Sequence, residues 1–211
     1  MSLLAVSKTF PLQNILEFSA CGQLAFGENY LQEAVEKITQ LADHPDAQAI
    51  EWHFIGPIQS NKTKPIAEHF DWVHSVDRLK IAQRLSSQRP PELPPLNVLV
   101  QMNTSGESSK SGVNASETLQ LCREVAKLPS LRLRGLMTIP SNTDNADALK
   151  SEFLACKATL DELKQEGLEL DTLSMGMSAD LELAVECGST CVRVGSALFG
   201  SRTTNQPGNE S

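Results

Sequence analysis

The sequence has little positive charge and no long apolar run. It contains 18 lysines and arginines against 26 aspartates and glutamates, for a net charge of −8. A general nucleic-acid-binding protein needs a basic surface, so that class is disfavoured. No apolar run reaches the roughly 18 to 20 residues of a membrane span, and no basic segment followed by an apolar one marks a secretory signal. We therefore expect a cytoplasmic protein that contacts neither nucleic acid nor membrane.

Disulfide and metal-binding patterns are also missing. The five cysteines are odd in number and irregularly spaced, and Cys187 and Cys191 do not have the CxxC spacing of zinc knuckles or thioredoxin-like sites. A chain of 211 residues does not need disulfides for stability. The four histidines form no HxH or HExxH pair. We therefore predict reduced cysteines and no metal site.

Short apolar runs alternate with longer amphipathic ones along the chain. Between the short runs, apolar side chains recur with the 3.6-residue period of a helix, for example at Leu31, Ala34, Val35, Ile38 and Leu41. Strands that alternate with helices favour a parallel sheet, and eight repeats in about 200 residues favour a closed barrel. The strand candidates are 3–7, 24–27, 52–56, 72–76, 97–102, 133–138, 172–176 and 191–195. The sequence thus predicts an α/β protein with a (β/α)8 TIM-like barrel.

One domain accounts for most of the chain. We assign residues 1–202 to the barrel and the polar segment 203–211 to a disordered tail, because such a composition cannot bury enough apolar surface. The Pro-rich segment 89–95 is interpreted as a connection between a helix and a strand. After the last strand only SALFGSR precedes the tail, whereas a complete barrel has a helix there. A helix ahead of the first strand would fill this gap, but the sequence starts at the strand itself.

Ligands of such barrels bind at the carboxyl ends of the strands, where two segments are typical of phosphate sites. GMSAD places Ser178 and Asp180 at the start of a helix, and VGSALFG places Gly195 and Ser196 at the start of a short one. Helix N-termini offer unpaired backbone N–H groups, and serine adds a hydroxyl donor. Serine is also favoured there as an ordinary N-cap. Two such segments opposite a strand-end lysine favour a phosphate ligand.

The strand-end lysine is Lys8, in the segment AVSKT. A lysine in this position either extends to solvent or is kept for its amine, and a desolvated amine of lowered pKa is suited to a Schiff base. Arg193 alternates with Val192 and Val194 and is predicted to face the inside or the mouth of the barrel. Its guanidinium would either donate to a pyridine nitrogen or pair with a carboxylate such as Glu28.

The segment NTSGESSKSG (103–112) is rich in glycine and serine, as nucleotide-binding loops are. It lacks the G-x-x-x-x-G-K-[ST] pattern that such loops need to cradle phosphates, because its lysine precedes the Ser-Gly pair. We interpret the segment as a mobile loop over the mouth of the barrel, with Lys110 in solvent.

Taken together, these segments closely resemble the pyridoxal 5′-phosphate (PLP) homeostasis protein family. The matching stretches lie between Leu4 and Gly200 in family order: AVSKT, FGENYLQE, WHFIGPIQSNK, VHSVD, VQMNTSGESSKSG, GLMTIP and LSMGMSADLELAVECGSTCVRVGSALFG. The resemblance implies PLP as the cofactor. It also implies the type III fold of PLP-binding proteins, like the N-terminal domain of alanine racemase. Family members usually carry a helical segment ahead of the first strand, which is not found here.

The resemblance also implies roles for individual residues. Lys8 would carry PLP as a Schiff base, and Arg193 would lie near the pyridine nitrogen. The phosphate-binding positions match Ser178, Gly195 and Ser196, while Asn29 and His53 fall near the ring. A monomer that stores PLP or delivers it to PLP-dependent apoenzymes is the expected form.

An efficient enzyme is not expected. A racemase needs a second proton-transfer group facing Lys8 across the ring, commonly a tyrosine, and related racemases take it from the separate C-terminal domain of a partner subunit. The sole tyrosine, Tyr30, is predicted to be a packing residue. An arginine at the pyridine nitrogen also weakens the electron sink. The alternatives are a PLP-dependent amino-acid racemase and a barrel that binds another phosphorylated metabolite non-covalently.

Overall fold

The protein folds as a closed barrel of parallel strands. The computed structural model describes residues 1–107 and 110–200. Each strand pairs with its neighbours in chain order, and β8 closes the ring by pairing with β1. The strands are β1 Ser2–Val6, β2 Ala25–Glu28, β3 Glu51–Phe54, β4 Trp72–Val76, β5 Leu96–Met102, β6 Leu131–Thr138, β7 Thr172–Ser174 and β8 Cys191–Val194. The predicted barrel and its strands are confirmed, with strand ends that differ by at most two residues.

A helix follows each strand and covers the outside of the barrel. The helices are α1 Leu12–Ala20, α2 Leu31–Leu41, α3 Thr63–His69, α4 Leu79–Gln88, α5 Ala115–Val125, α6 Ala146–Gln165, α7 Leu181–Glu186 and α8 Ser196–Phe199. α5 begins with a capping box, in which Asn114 and Glu117 each accept a hydrogen bond from the other's backbone N–H. α6 ends just before Gly167, and residues 89–95 connect α4 to β5, as predicted.

Side chains of the strands alternate between the barrel interior and the helices, which is the period-two rule of extended chains. Ala5 and Phe26 belong to the main hydrophobic core that the strands share with the helices. Ala5 lies in register with Val194, and Leu4 lies in register with Arg193. Leu4 and Arg193 therefore face the interior of the barrel.

The first and last helices pack together beside the junction of β1 and β8. α1 lies in the stretch between the first two strands, where the sequence predicted a helix, and its buried residues are Ile15 and Ser19. α8 is a single turn, as expected for SALFG. Its Phe199 stacks on Phe10, with 4.8 Å between ring centroids, and lies 4.7 Å from Phe18 of α1. This aromatic contact joins the segment after β1 to the segment after β8, and α8 occupies the position at which the sequence analysis expected a helix to be missing.

The predicted domain boundary at residue 202 and the predicted tail 203–211 lie outside the described residues. In residues 1–107 and 110–200, no helix is both long and apolar enough to cross a membrane, and no cluster of three His, Cys, Asp or Glu side chains could hold a metal ion. The five cysteines are free thiols, and burial raises the pKa of Cys122 and Cys156 to about 12.

Candidate functional site

Lys8 lies in a tight turn at the carboxyl end of β1. The Ser7 N–H donates to the Gly27 carbonyl at 3.0 Å, and the Phe10 N–H donates back to the Ser7 carbonyl at 3.1 Å. Among the described residues, Thr9 alone combines a side chain with a positive φ, of 67°. The third position of a type II turn requires such a φ and normally holds glycine, so a β-branched residue there is strained. The turn presents Lys8, which is half-buried, at its second position.

A buried network of charges holds this turn on both sides of Lys8. The Ser7 hydroxyl donates to Glu28 at 2.7 Å. The Lys37 ammonium donates to the Ser7 carbonyl at 2.9 Å, to Glu28 at 2.8 Å and to Glu33 at 2.6 Å. Glu33 also accepts the Thr9 N–H at 2.6 Å. Hydrogen bonds from α2 and β2 therefore hold the strained backbone in place. A strained conformation persists only when its surroundings hold it in this way.

Glu28 is the carboxylate at the centre of this network. Its side chain has no exposed surface, and one of its two oxygens, Oε2, has no hydrogen-bond partner in the described part of the chain. Burial raises the pKa of Glu28, although the charge of Lys37 and its hydrogen bond act in the opposite direction. Glu28 pairs with Lys37, and Arg193 donates to Ser174 and Thr138 instead. Glu28 is therefore not the carboxylate partner predicted for that arginine.

The predicted phosphate-binding segments lie at the same end of the barrel. Ser178 and Ser196 are exposed, and a Cβ at Gly195 would lie 3.4 Å from the Val6 carbonyl. This places the start of α8 directly beside the strand that leads to Lys8. The first hydrogen bonds of α8 run from the N–H groups of residues 198 and 199 to the Gly195 carbonyl, so the N–H groups of residues 196 and 197 point away from the helix.

Neither serine acts as an ordinary helix cap. The N-cap of α7 is Asp180, whose side chain does not cap the helix, and the N-cap of α8 is Gly195, which has no side chain. Asp180 instead accepts the Met177 N–H at 2.6 Å, which closes the turn that presents Ser178. The capping role that would have explained these serines without a ligand is therefore wrong, and their hydroxyls stay available to one.

A wide cavity of about 1050 Å³ adjoins these segments. The loops after β6, β7 and β8 line it, and Ser178, Val194 and Ala197 contribute to its wall. The two predicted phosphate segments therefore border a common solvent-accessible space, as a small-molecule ligand requires.

Arg193 is buried in the barrel interior. Its Nη1 donates to the Ser174 carbonyl at 2.8 Å and to the Ser174 hydroxyl at 2.7 Å, and its Nη2 donates to the Thr138 carbonyl at 2.9 Å. Burial lowers the pKa of the guanidinium, yet arginine stays protonated in proteins. A fixed cation thus lies inside the barrel, on the strand next to the one that leads to Lys8.

His53 lies in the same interior. It is in register with Gly27 of β2 and with Trp72 of β4, on which its ring stacks at 5.3 Å. His53 Nδ1 is 2.9 Å from His74 Nε2, and His74 Nδ1 is 3.1 Å from the Ser174 hydroxyl. His53 therefore reaches the hydrogen-bond partners of Arg193 through His74, a residue that the sequence analysis did not single out.

The two histidines make a prediction about pH. Burial lowers the pKa of both, most of all for His74, which also faces His53 and Arg193, while Glu51 and Asp71 partly oppose the shift at His53. Below about pH 6.5 the unfolded chain binds protons that the folded chain excludes, so the free energy of unfolding should fall, by up to about 1.4 kcal/mol per pH unit for each histidine. Above that pH the free energy of unfolding should no longer depend on the two histidines' protonation. Urea unfolding of wild type and His74→Asn measures this, and equal slopes in the two would contradict it.

Asn29 follows β2 and is held against the loop after β3. A Cβ at Gly56 would lie 2.2 Å from the Asn29 carbonyl and 3.1 Å from its side-chain oxygen, so only glycine fits there. The Ser75 hydroxyl donates to the Gly56 carbonyl at 2.5 Å, which fixes this loop from β4. Asn29 is half-buried at the same end of the barrel as Lys8.

Two minor expectations are wrong. Lys110 is not in solvent: its side chain is 26% exposed and donates to the Pro140 carbonyl at 2.9 Å, beside Glu107 at 3.0 Å. Tyr30 is not a packing residue, because it is 51% exposed at the start of α2. The mobility predicted for the 103–112 loop concerns in part residues 108 and 109, which lie outside the described residues.

The fold and the sequence place the chain in a known class of barrels, that of the alanine racemase N-terminal domain. The sequence model of the alanine racemase N-terminal domain family matches residues 1–203. Alanine racemase from Corynebacterium glutamicum has the same fold, with a TM-score of 0.74 at 19% identity over 97% of this chain and 58% of that one.

More similar relatives define the family within that class. A pyridoxal phosphate homeostasis protein from Pseudomonas aeruginosa is 58% identical over 98% of this chain and 87% of its own length. A solved structure of PipY from Synechococcus elongatus with PLP bound has a TM-score of 0.85 at 37% identity, covering 95% of this chain and 92% of that one. The chain belongs to the family of pyridoxal phosphate homeostasis proteins.

Proposed function

We propose that this protein holds PLP at the mouth of the barrel through Lys8 and serves in PLP homeostasis, by storing or delivering the cofactor. When bound, PLP supplies an aldehyde that condenses with amines and a pyridine ring that withdraws electrons. The observation that carries the proposal is the adjacency of β1 and β8. It brings the Lys8 turn, the Arg193 cation and the start of α8 together at one end of the barrel.

The residues at this end fit the three chemical parts of PLP. The amine of Lys8 would condense with the aldehyde, with loss of one water molecule. The hydroxyl of Ser178 and the backbone and hydroxyl groups of Gly195 and Ser196 would donate to the phosphate. Arg193 would donate to the pyridine nitrogen, for which its guanidinium is held inside the barrel by Ser174 and Thr138.

Asn29 would contact the ring from the loop after β2, where Gly56 fixes it. His53, in the interior, would act on the ring end of the site through the chain of hydrogen bonds to Ser174 and Arg193.

The same residues favour a carrier over an efficient enzyme. An arginine donor leaves the pyridine nitrogen unprotonated, which weakens electron withdrawal from a bound substrate. Proton transfer on the second face of the ring needs a positioned acid or base. Tyr30, the sole tyrosine of the chain, is half-exposed rather than held in the site.

Reduction with borohydride followed by mass spectrometry tests the proposal. The protein is incubated with PLP, reduced, digested and searched for a phosphopyridoxyl label. We expect the label on the peptide that contains Lys8. A protein that neither retains PLP nor carries a label after reduction would support a barrel for a different phosphorylated ligand, bound non-covalently.

Chiral analysis of amino acids tests the carrier role against the racemase alternative. The PLP-loaded protein is incubated with a panel of L-amino acids, and the D-enantiomers are measured. We expect no conversion above the rate of free PLP, since the site offers Lys8 on one face only. Rapid conversion of any amino acid would establish an enzyme instead.

PLP-dependent apoenzymes are the partners that this function requires, and we propose that the carrier acts as a monomer in the cytoplasm. The free thiol state of all five cysteines fits a reducing compartment. The net charge of −8 fits the absence of a nucleic-acid partner.

A further inference from the structure

A column of polar side chains crosses the interior of the barrel from Arg193 to the opposite end. Arg193 Nη1 donates to the Ser174 hydroxyl at 2.7 Å, which lies 3.1 Å from His74 Nδ1. His74 Nε2 lies 2.9 Å from His53 Nδ1. His53 Nε2 lies 3.8 Å from a carboxylate oxygen of Glu51, the first residue of β3. The side chain of Glu51 is 60% exposed, so the column ends at the surface.

The hydrogen atoms of this column can be assigned from the chemistry of its members. An arginine only donates, so the Ser174 hydroxyl oxygen accepts from Arg193. Burial lowers the pKa of both histidines, which keeps them neutral. A neutral imidazole has one donor and one acceptor nitrogen. The histidine pair therefore has only two consistent arrangements, which differ in the direction of every bond.

The two directions differ in what His53 Nε2 presents to the charge of Glu51. If Ser174 donates to His74 Nδ1, then His74 Nε2–H donates to His53 Nδ1, and His53 carries its hydrogen on Nε2, facing the Glu51 carboxylate. In the reverse direction His53 Nε2 would present a lone pair to that carboxylate. His53 Nε2 is buried and has no hydrogen-bond partner in residues 1–107 and 110–200, so the bare lone pair would stay uncompensated beside a negative charge.

In the favoured direction, the negative end of every dipole in the column points toward Arg193. Oxygen and nitrogen lone pairs point to the guanidinium, and N–H groups point to Glu51. The three hydrogen-bond acceptors of Arg193 given by Ser174 and Thr138 are neutral oxygens. The charge of Asp180 acts on the guanidinium from outside the column, and the carboxylate at which the column itself ends is that of Glu51. Hydrogen bonds that all run in one direction along a chain polarise one another, and this strengthens them in a low-dielectric interior.

We propose that Ser174, His74, His53 and Glu51 form a directional relay that positions the Arg193 guanidinium and its charge beneath the pyridine end of the cofactor. A surface carboxylate at the far end of the barrel thereby adjusts how firmly PLP is held. These four are positioning residues, and the inference rests on the proposed placement of PLP against Arg193.

The tautomers of the two histidines test the relay directly, without cofactor. Long-range ¹H–¹⁵N correlation spectra of the ¹⁵N-labelled protein distinguish protonated from unprotonated ring nitrogens. We expect hydrogen on Nε2 and a bare Nδ1 in both His53 and His74. Hydrogen on Nδ1 of either residue, or a doubly protonated ring at neutral pH, would overturn the proposed direction.

The effect on the cofactor is tested with His53→Phe, which keeps the stacking on Trp72 and removes the ring nitrogens, and with Glu51→Gln. Since couplings through such networks are modest, we expect the dissociation constant of PLP to rise about three- to tenfold in His53→Phe and about twofold in Glu51→Gln. The absorption maximum of bound PLP should shift in both. Glu169→Gln, the same charge change near the start of β7, should bind PLP as wild type does.

Each result bears on one hypothesis. If both relay variants have wild-type affinity and absorption, the relay is refuted. If Glu169→Gln weakens PLP binding as much as Glu51→Gln does, the effect comes from the change in net charge and the relay is again refuted. If wild type takes no label on Lys8, the proposed function fails, and the histidine tautomers still decide the direction of the column.

Discussion

Replacement of Lys8 by alanine should abolish the phosphopyridoxyl label that borohydride reduction leaves on the protein, and also the visible absorbance of bound PLP. The amine of Lys8 is the group that the turn after β1 presents between the Ser7 and Thr9 contacts, so its removal takes away the covalent bond and leaves the phosphate donors in place. We expect the affinity for PLP to fall by at least about tenfold, or about 1.4 kcal/mol. Mass spectrometry of the reduced protein and equilibrium dialysis measure the two effects.

Lys64→Ala is the matched control for this experiment. Lys64 has a side chain that is 68% exposed on α3, where it pairs with Glu68. Its removal should leave label and affinity unchanged. A label that persists at full level in Lys8→Ala would move the attachment site to another lysine and overturn the central assignment.

Replacement of Lys37 by methionine should cost about 3–5 kcal/mol of stability, because it removes one partner of a buried ion pair. Glu28, which has no exposed surface, would lose its countercharge while one of its oxygens already lacks a partner in the described part of the chain. The turn that carries Lys8 would also lose the hydrogen bond to the Ser7 carbonyl. Urea unfolding measures the free energy, and PLP affinity should fall in parallel.

Two further variants separate the buried charge from a general effect of losing a lysine. Lys64→Met breaks an exposed pair with Glu68, at the i, i+4 spacing of the Lys37–Glu33 pair, and should change stability by no more than about 0.5 kcal/mol. The double variant Lys37→Met, Glu28→Gln should recover part of the loss, since a neutral amide needs no countercharge. A cost of under about 1 kcal/mol in Lys37→Met would mean that water or a backbone shift compensates Glu28.

The barrel could be predicted because its signals are local. Each strand is a short apolar run and each long helix has an apolar stripe with a 3.6-residue period, as in Leu31–Leu41. The packing of Leu12–Ala20 could not be predicted, because it depends on Phe199 at the other end of the barrel sequence. A contact between the two ends leaves no period in the sequence of either.

Some residues of the candidate site could likewise be predicted from the sequence, and others could not. Lys8, Ser178 and Ser196 could be singled out because polar residues that follow apolar strands of a barrel meet at one end. The residues that hold Lys8 could not be found, since Glu28 ends an apolar strand and Lys37 reads as the polar face of a helix. The capping role weighed for the two serines was also excluded only when Asp180 and Gly195 proved to be the N-caps.

By itself, the amino-acid sequence determined the fold class, the order of the strands and the end of the barrel at which the chemistry lies, because alternation and turn residues act over a few positions. Only the tertiary structure decided which charges are buried together. It paired Glu28 with Lys37 and not with Arg193, and it aligned Arg193, Ser174, His74 and His53 in one column. The free energy of a buried polar group depends on partners that come from other strands and helices, and that partnership exists only after the chain has closed into a barrel.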